Sequence, residues 1–164
     1  FRNTPLTLLM VFSILGVSYV LGLQMSNDVK TNIFYWAIIV LSVYHAAFVC
    51  EALRSGVNTV PAGQAEAARA IGLTFSQSLT EVLLPQAFRG AIAPLGSTLI
   101  ALIKNSTVAA VIGAADAAGL MQIIIENETG SIGVFFLFAL GFVILTLPLG
   151  ILFTSLSRRL AVKR

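Results

Sequence analysis

Apolar residues fall into four long blocks along the chain, with polar connectors between them. Residues 6–23 contain no charged side chain, 33–50 carry only His45, and 132–156 are again uncharged. Each is long enough for a helix to cross a hydrocarbon core, which takes about 20 residues at about 1.5 Å of rise per residue. The remaining block, 90–115, has Lys104 inside it. Unpaired charge in lipid is costly, so this block reads as a span over 87–104 with a non-spanning or re-entrant continuation. The pattern predicts an all-α, polytopic membrane helix bundle with spans at 6–23, 33–50, 87–104 and 132–156. Pro94 and Pro148 fall inside spans, where they bend a helix or free carbonyls toward a cavity. Backbone of that kind needs protein or water to cover it, which favours a pathway over a mere anchor. Small residues recur four apart at Ser42 and Ala46 and at Ala109 and Gly113, a spacing that lets helix backbones approach.

The polar stretch "GQAEAARAIGLTFSQSLTEVLLPQ", 63–86, interrupts this pattern. Thr59 and Pro61 suit a helix start, and Glu66 and Arg69 stand at a pairing distance of three residues. Gly72 suits the left-handed position just past a helix end. Thr74 and Gln77 have the spacing of a capping box, and Pro85 marks the start of the third span. The connector therefore reads as two short helices with a glycine hinge. The first helix is too polar for lipid and too poor in large apolar residues to fold alone. An alanine-faced helix is narrow, however, and fits a groove on another protein.

Composition agrees with a membrane protein: 57 % of residues are hydrophobic and only 10 % charged, far from the balance of soluble domains. The chain starts at Phe1, not Met, and enters an apolar run almost at once, which reads as a protein whose N-terminal part is missing. That run has no basic leader and no small-residue cleavage site, so it is not expected to be a signal peptide. The lone Cys50 makes no internal disulfide and reads as a small hydrophobe. The net charge of +3 is dispersed, with no aromatic residues interleaved, so a nucleic-acid partner is not expected. Charge placement instead gives orientation. Arg54, Arg69 and Arg89 lie in or beside the 51–89 connector, and Arg158, Arg159, Lys163 and Arg164 form the tail. The other two connectors carry Asp28, Glu126 and Glu128 against a single Lys30. Positive charge marks the cytosolic side, so the 51–89 connector and the C-terminus are expected there, two crossings apart.

"EAARAIG", nine residues and then "VLLP" resemble the EAA-loop signature of bacterial ABC-importer permeases, with Val82 in place of the usual Ile. Glu66, Ala67, Ala68, Gly72, Val82, Leu84 and Pro85 fall at the matching positions. "RNTPL", "CEALRSGVNTVPAGQAEAA" and "PLGSTLIALIKNSTVAAVIG" are similar to segments of the polar amino-acid branch of that superfamily, which handles histidine, glutamate, glutamine and arginine. Asn3 stands where Gly is usual, and Asn105 where Asp is common. The likeness is greatest to actinobacterial glutamate permeases, through "RNTPLTL", "ALRSGVNTV" and "RLAVKR".

The resemblance implies a single type I ABC-importer transmembrane domain over 1–164, with a cytosolic coupling loop at 55–85. It implies a multi-pass protein of the bacterial plasma membrane, working with an ABC ATPase dimer, a second identical or homologous permease subunit and an extracytoplasmic amino-acid-binding protein. Glu66 and Arg69 would then make polar contacts to the ATPase, Ala67, Ala68 and Ala70 would fit its cleft, and Gly72 would allow the turn back to the membrane. The chain has no phosphate-binding loop, so ATP and Mg are expected on the partner, with no cofactor or metal and no enzymatic activity on this chain.

Lys104, Asn105, Ser106 and Thr107 are adjacent polar residues in an apolar block and are the candidates for the substrate pathway. An ammonium with amide and hydroxyl donors suits a substrate carboxylate. The other reading has Lys104 reaching the outer interface while its neighbours satisfy backbone groups at a helix end. His45 reads as a hydrogen-bonded bundle residue rather than a proton relay. Two alternatives to a glutamate permease stay open: a permease of the same superfamily for another small solute, and a non-transporting scaffold that recruits a cytosolic partner.

Overall fold

The computed structural model describes residues 3–127 and 132–160. Arg2, Glu128, Lys163 and Arg164, used above, lie outside the described residues. Every regular element among the described residues is helical. In order they are α1 (Leu6–Phe12), prolonged by wider π-type turns over Ser13–Val20; α2 (Val29–Asn58); α3 (Ala62–Ala70); α4 (Phe75–Gln77), prolonged by π-type turns over Ser78–Leu83; α5 (Leu84–Ser106), ending in a 3-10 turn at Thr107–Ile112; α6 (Ala117–Asn127); and α7 (Ile132–Leu160).

Three helical runs are long and apolar enough to cross a membrane: Val29–Asn58, Phe75–Ile112 and Ile132–Leu156. The first apolar block forms a shorter helix, Leu6–Val20, because the chain turns at Leu21, whose N–H closes on the Gly16 carbonyl at 3.1 Å. α5 and α7 run without a break through Pro94 and Pro148. Pro85 does not open a helix as expected. Helix already begins at Phe75, behind the Thr74 cap, and Pro85 is the second residue of α5. Its missing N–H falls where the winding changes from π to α, so the ladder loses a donor at a turn that is already irregular.

The chain divides into two compact units. The first holds residues up to Ala47 and Ala101–Leu147. There α1 packs on the 3-10 turn, and Leu6, Met10, Ala37, Val40, Ala109 and Ala114 form the buried core. Polar ties close its ends. Asn32 donates from Nδ2 to Ser18 Oγ at 2.8 Å, and its Oδ1 accepts from the Met25 N–H at 2.9 Å. Asp28 caps α2 by accepting from the Thr31 N–H and hydroxyl at 2.8 and 2.7 Å. Asp116 accepts from the Gly119 N–H at 2.8 Å at the start of α6.

The second unit holds Phe48–Ile100 and the chain from Pro148 onward. Here Gly56 of α2 lies against Ala87 and Ala91 of α5, and Thr59 lies against Gly90. Small residues bring two backbones together, as association in lipid requires. They are not the small residues that spacing alone had singled out: Ser42 and Ala46 are exposed, while Ala109 is buried in the core of the first unit. The apolar window of α7 has no residue buried within the chain, which suits a helix surrounded by lipid or by other subunits.

Candidate functional site

The connector between α2 and α5 is held at every joint. Thr59 turns its hydroxyl back to the Gly56 carbonyl at 2.7 Å, ending α2. Pro61 then takes an extended conformation and α3 begins at Ala62. At the far end of α3, Gly72 has a φ of 88°, a left-handed value open to glycine at no steric cost. The Gly72 N–H bonds the Arg69 carbonyl at 3.0 Å and the Leu73 N–H bonds the Ala68 carbonyl at 3.1 Å. This pair of bonds is a Schellman motif, which satisfies two carbonyls the helix leaves open. Two residues on, the Thr74 N–H donates to Gln77 Oε1 at 3.0 Å, and Thr74 Oγ1 accepts from the Gln77 N–H at 3.4 Å. Both halves of the capping box are present. Gln86 reaches back from α5 to Gln64 of α3 at 3.4 Å. The turn is held because the N–H groups of Gly72, Leu73 and Thr74 all have partners.

The faces of α3 differ. Glu66, Ala67, Arg69 and Ala70 are exposed. Ala68 is only 3 % exposed, within a helix that packs on the turns at Ser78–Leu83. It therefore seats α3 on its own chain instead of facing outward with Ala67 and Ala70, as the sequence had suggested. Nor do Glu66 and Arg69 pair. Arg69 donates from Nε to the Ala65 carbonyl at 3.3 Å, one turn back along its own helix. Two residues escaped the sequence reading: Ile71 and Phe75, which flank the hinge, are 78 % and 79 % exposed. Their signal was two large apolar residues around Gly72 in an otherwise polar connector.

The second polar group lies in the other unit. Lys104 is exposed on the last turn of α5. Ser106 and Thr107 turn their hydroxyls onto the Ile103 and Lys104 carbonyls, each at 2.8 Å, where α5 tightens into the 3-10 turn. These are the backbone closures expected at a helix end. Asn105 behaves differently. Its Nδ2 lies 3.3 Å from Nε2 of His45, which is only 5 % exposed on α2. Nδ1 of His45 is 2.9 Å from the Leu41 carbonyl, and Tyr44 stands edge-on to the imidazole at 5.3 Å. So Asn105 turns to His45, Ser106 and Thr107 to their own helix, and Lys104 to the outside. Among the described residues no cluster of three or more His, Cys, Asp or Glu side chains has metal-site geometry.

The family described as the binding-protein-dependent transport system inner membrane component matches residues 1–162. The chain is 49 % identical over 169 residues to the glutamate transport system permease protein GluC of Corynebacterium glutamicum, covering 99 % of this chain and 74 % of that protein. It is 33 % identical over 159 residues to the probable glutamine ABC transporter permease protein GlnM of Bacillus subtilis, covering 97 % and 70 %. Its fold is similar to a crystal structure of an amino acid ABC transporter with histidines, with a TM-score of 0.84 and 28 % identity over 96 % of this chain and 71 % of that chain.

Proposed function

The chain belongs to the family of inner-membrane components of binding-protein-dependent transport systems, and from that membership we propose that it is the permease subunit of an ATP-driven importer of glutamate. The amino-acid class is supported by relatives named as glutamate and glutamine permeases and by a structural neighbour that holds histidines. Glutamate is favoured because the greatest of these identities is to a glutamate permease, and because Lys104 puts a cation beside the neutral Asn105. A pathway of that charge favours an anionic solute.

The observation that carries the mechanism is the construction of α3. A nine-residue helix is braced at both ends and exposes Glu66, Ala67, Arg69 and Ala70, next to the apolar tips of Ile71 and Phe75. In this reading the exposed face lies in a cleft on an ATPase subunit, and the tight hinge at Gly72 passes its displacement to α5 without slack. The ATPase pair binds and hydrolyses ATP, a second permease subunit completes the pathway, and an extracytoplasmic binding protein delivers the amino acid. The C-terminus and the connector then share the cytosolic side, as positive charge prefers.

The test is ATP-dependent uptake of labelled glutamate by vesicles containing the whole complex. Wild-type vesicles should accumulate it. A Gly72→Val complex that inserts normally should hydrolyse ATP with little accumulation, since a β-branched residue resists the positive φ. Full uptake by that variant would refute the lever.

A further inference from the structure

His45 is buried within the membrane-embedded helix α2, and the transport reading gives it no task. Its hydrogen bonds define one. Nδ1 faces the Leu41 carbonyl at 2.9 Å, and a carbonyl only accepts, so Nδ1 carries the hydrogen. The Asn105 amide nitrogen faces Nε2 at 3.3 Å and donates to it, so Nε2 is bare. A flip of the amide would set Oδ1 against that bare nitrogen, two acceptors facing each other. In the neutral ring the carbonyl of Leu41 thus places the hydrogen on Nδ1, and the bare Nε2 selects this orientation of the Asn105 amide. What remains is Oδ1, on a half-buried side chain and with no hydrogen-bond partner among the described residues.

We propose that His45 is a positioning residue: it locks the Asn105 amide so that Oδ1 is held out as an acceptor for the α-ammonium of an amino acid in the pathway. The inference rests on the amino-acid importer reading and adds a named acceptor and the group that orients it. An unlocked amide offers its NH2 as readily as its oxygen, and an NH2 group repels an ammonium. The lock therefore acts on affinity rather than on turnover.

The test uses the purified complex with its ATPase, the binding protein omitted, and equilibrium binding of labelled glutamate, glutamine and arginine, which share the α-ammonium. His45→Leu should weaken binding of whichever amino acid the wild type takes by about tenfold. His45→Gln, whose side-chain oxygen replaces Nε2 as acceptor, should restore most of it. Maximal uptake by the His45→Leu complex, with the binding protein restored, should change by no more than about twofold. With 15N-histidine in this chain, the His45 signals, assigned by their loss in His45→Leu, should show a protonated Nδ1 and a bare Nε2. Unaltered binding by His45→Leu, no rescue by His45→Gln, or a protonated Nε2 would each overturn the lock while leaving the importer reading standing. A wild-type complex that binds none of the three would overturn both.

Discussion

Gly56 of α2 and Ala87 of α5 meet backbone to backbone: a β-carbon on Gly56 would collide with the Ala87 carbonyl oxygen and lie 2.7 Å from the Ala91 β-carbon. The backbone of a helix yields far less than a flexible side chain. Gly56→Ala should therefore destabilise the chain by about 1–3 kcal/mol, the usual cost of overpacking. Gly63 is the control, since nothing lies within 4 Å of a β-carbon there and it sits inside α3. Gly63→Ala should stabilise slightly, by about 0.5 kcal/mol, through helix propensity. Thermal unfolding in detergent should order them Gly63→Ala, wild type, Gly56→Ala. Equal melting temperatures would show that the α2–α5 contact is not tight.

The Gly56 contact also marks the limit of what the chain tells in advance. Uncharged runs are long and bilayer thickness is fixed, so the long apolar helices were legible as elements, but their ends were not: the run expected at 33–50 covers Val29–Asn58 and the one expected at 87–104 covers Phe75–Ile112. The caps at Thr74 and Gly72 were legible too, because each depends on residues at most five apart. Which small residues meet was not, since Gly56 comes against Ala87 and Ala91 only once two helices have been docked. The pairing of His45 with Asn105, sixty positions apart, is invisible for the same reason. The burial of Ala68 depends on the turns behind α3, so a pattern of alanines could not tell the seated one from the exposed ones.

The hinge at Gly72 should rank substitutions by their tolerance of positive φ. Asn enters the left-handed region more easily than other non-glycine residues, whereas a β-branched residue resists it. Gly72→Asn should keep a substantial part of glutamate uptake and Gly72→Val should lose nearly all of it, by at least about tenfold relative to Asn. Both chains should reach the membrane in wild-type amounts, because nothing lies within 4 Å of the added β-carbon. Equal uptake by Asn and Val would show that the turn is not rigid in the working complex.

Ile71 and Phe75 make a prediction that separates folding from partnership. Both are more than three-quarters exposed, so Ile71→Ser and Phe75→Ser should alter the stability of the isolated permease by less than about 0.5 kcal/mol. Each should nonetheless weaken ATPase retention, by about fivefold or more, if these tips sit in its cleft. Copurification of the ATPase with each variant at fixed detergent and salt gives the answer. Undiminished retention by both would place the contact elsewhere on the connector.

Asp28 offers a pH-dependent test at the start of α2. The hydroxyl and the N–H of Thr31 both donate to its carboxylate and hold its pKa below the ordinary 3.8. A depressed carboxylate stabilises the fold above its unfolded pKa, and the contribution is lost as pH falls through its folded one. The cap should therefore be intact at neutral pH and still present at pH 3.8. Carbon-detected titration of Asp28 should give a midpoint below that value, and Thr31→Val should raise it. A Thr31→Val midpoint equal to that of the wild type would show that Thr31 is not the cause.

Lys104 should decide how strongly the pathway prefers an extra negative charge. It is exposed at the end of α5, and glutamate differs from glutamine by one carboxylate in place of an amide. Attraction between unit charges near a protein surface amounts to a few kcal/mol at most, and exposure reduces it. Lys104→Gln should therefore lower glutamate binding by about tenfold and leave glutamine binding within about twofold. Lys104→Arg keeps the charge and should retain the preference. The salt dependence gives an independent reading: glutamate binding to the wild type should weaken as ionic strength rises, and binding to Lys104→Gln should respond less. Direct binding of both amino acids to the complex at low and high salt checks all of this. An unchanged glutamate-to-glutamine ratio in Lys104→Gln would remove Lys104 from the substrate pathway, leaving it as a charge at the membrane boundary.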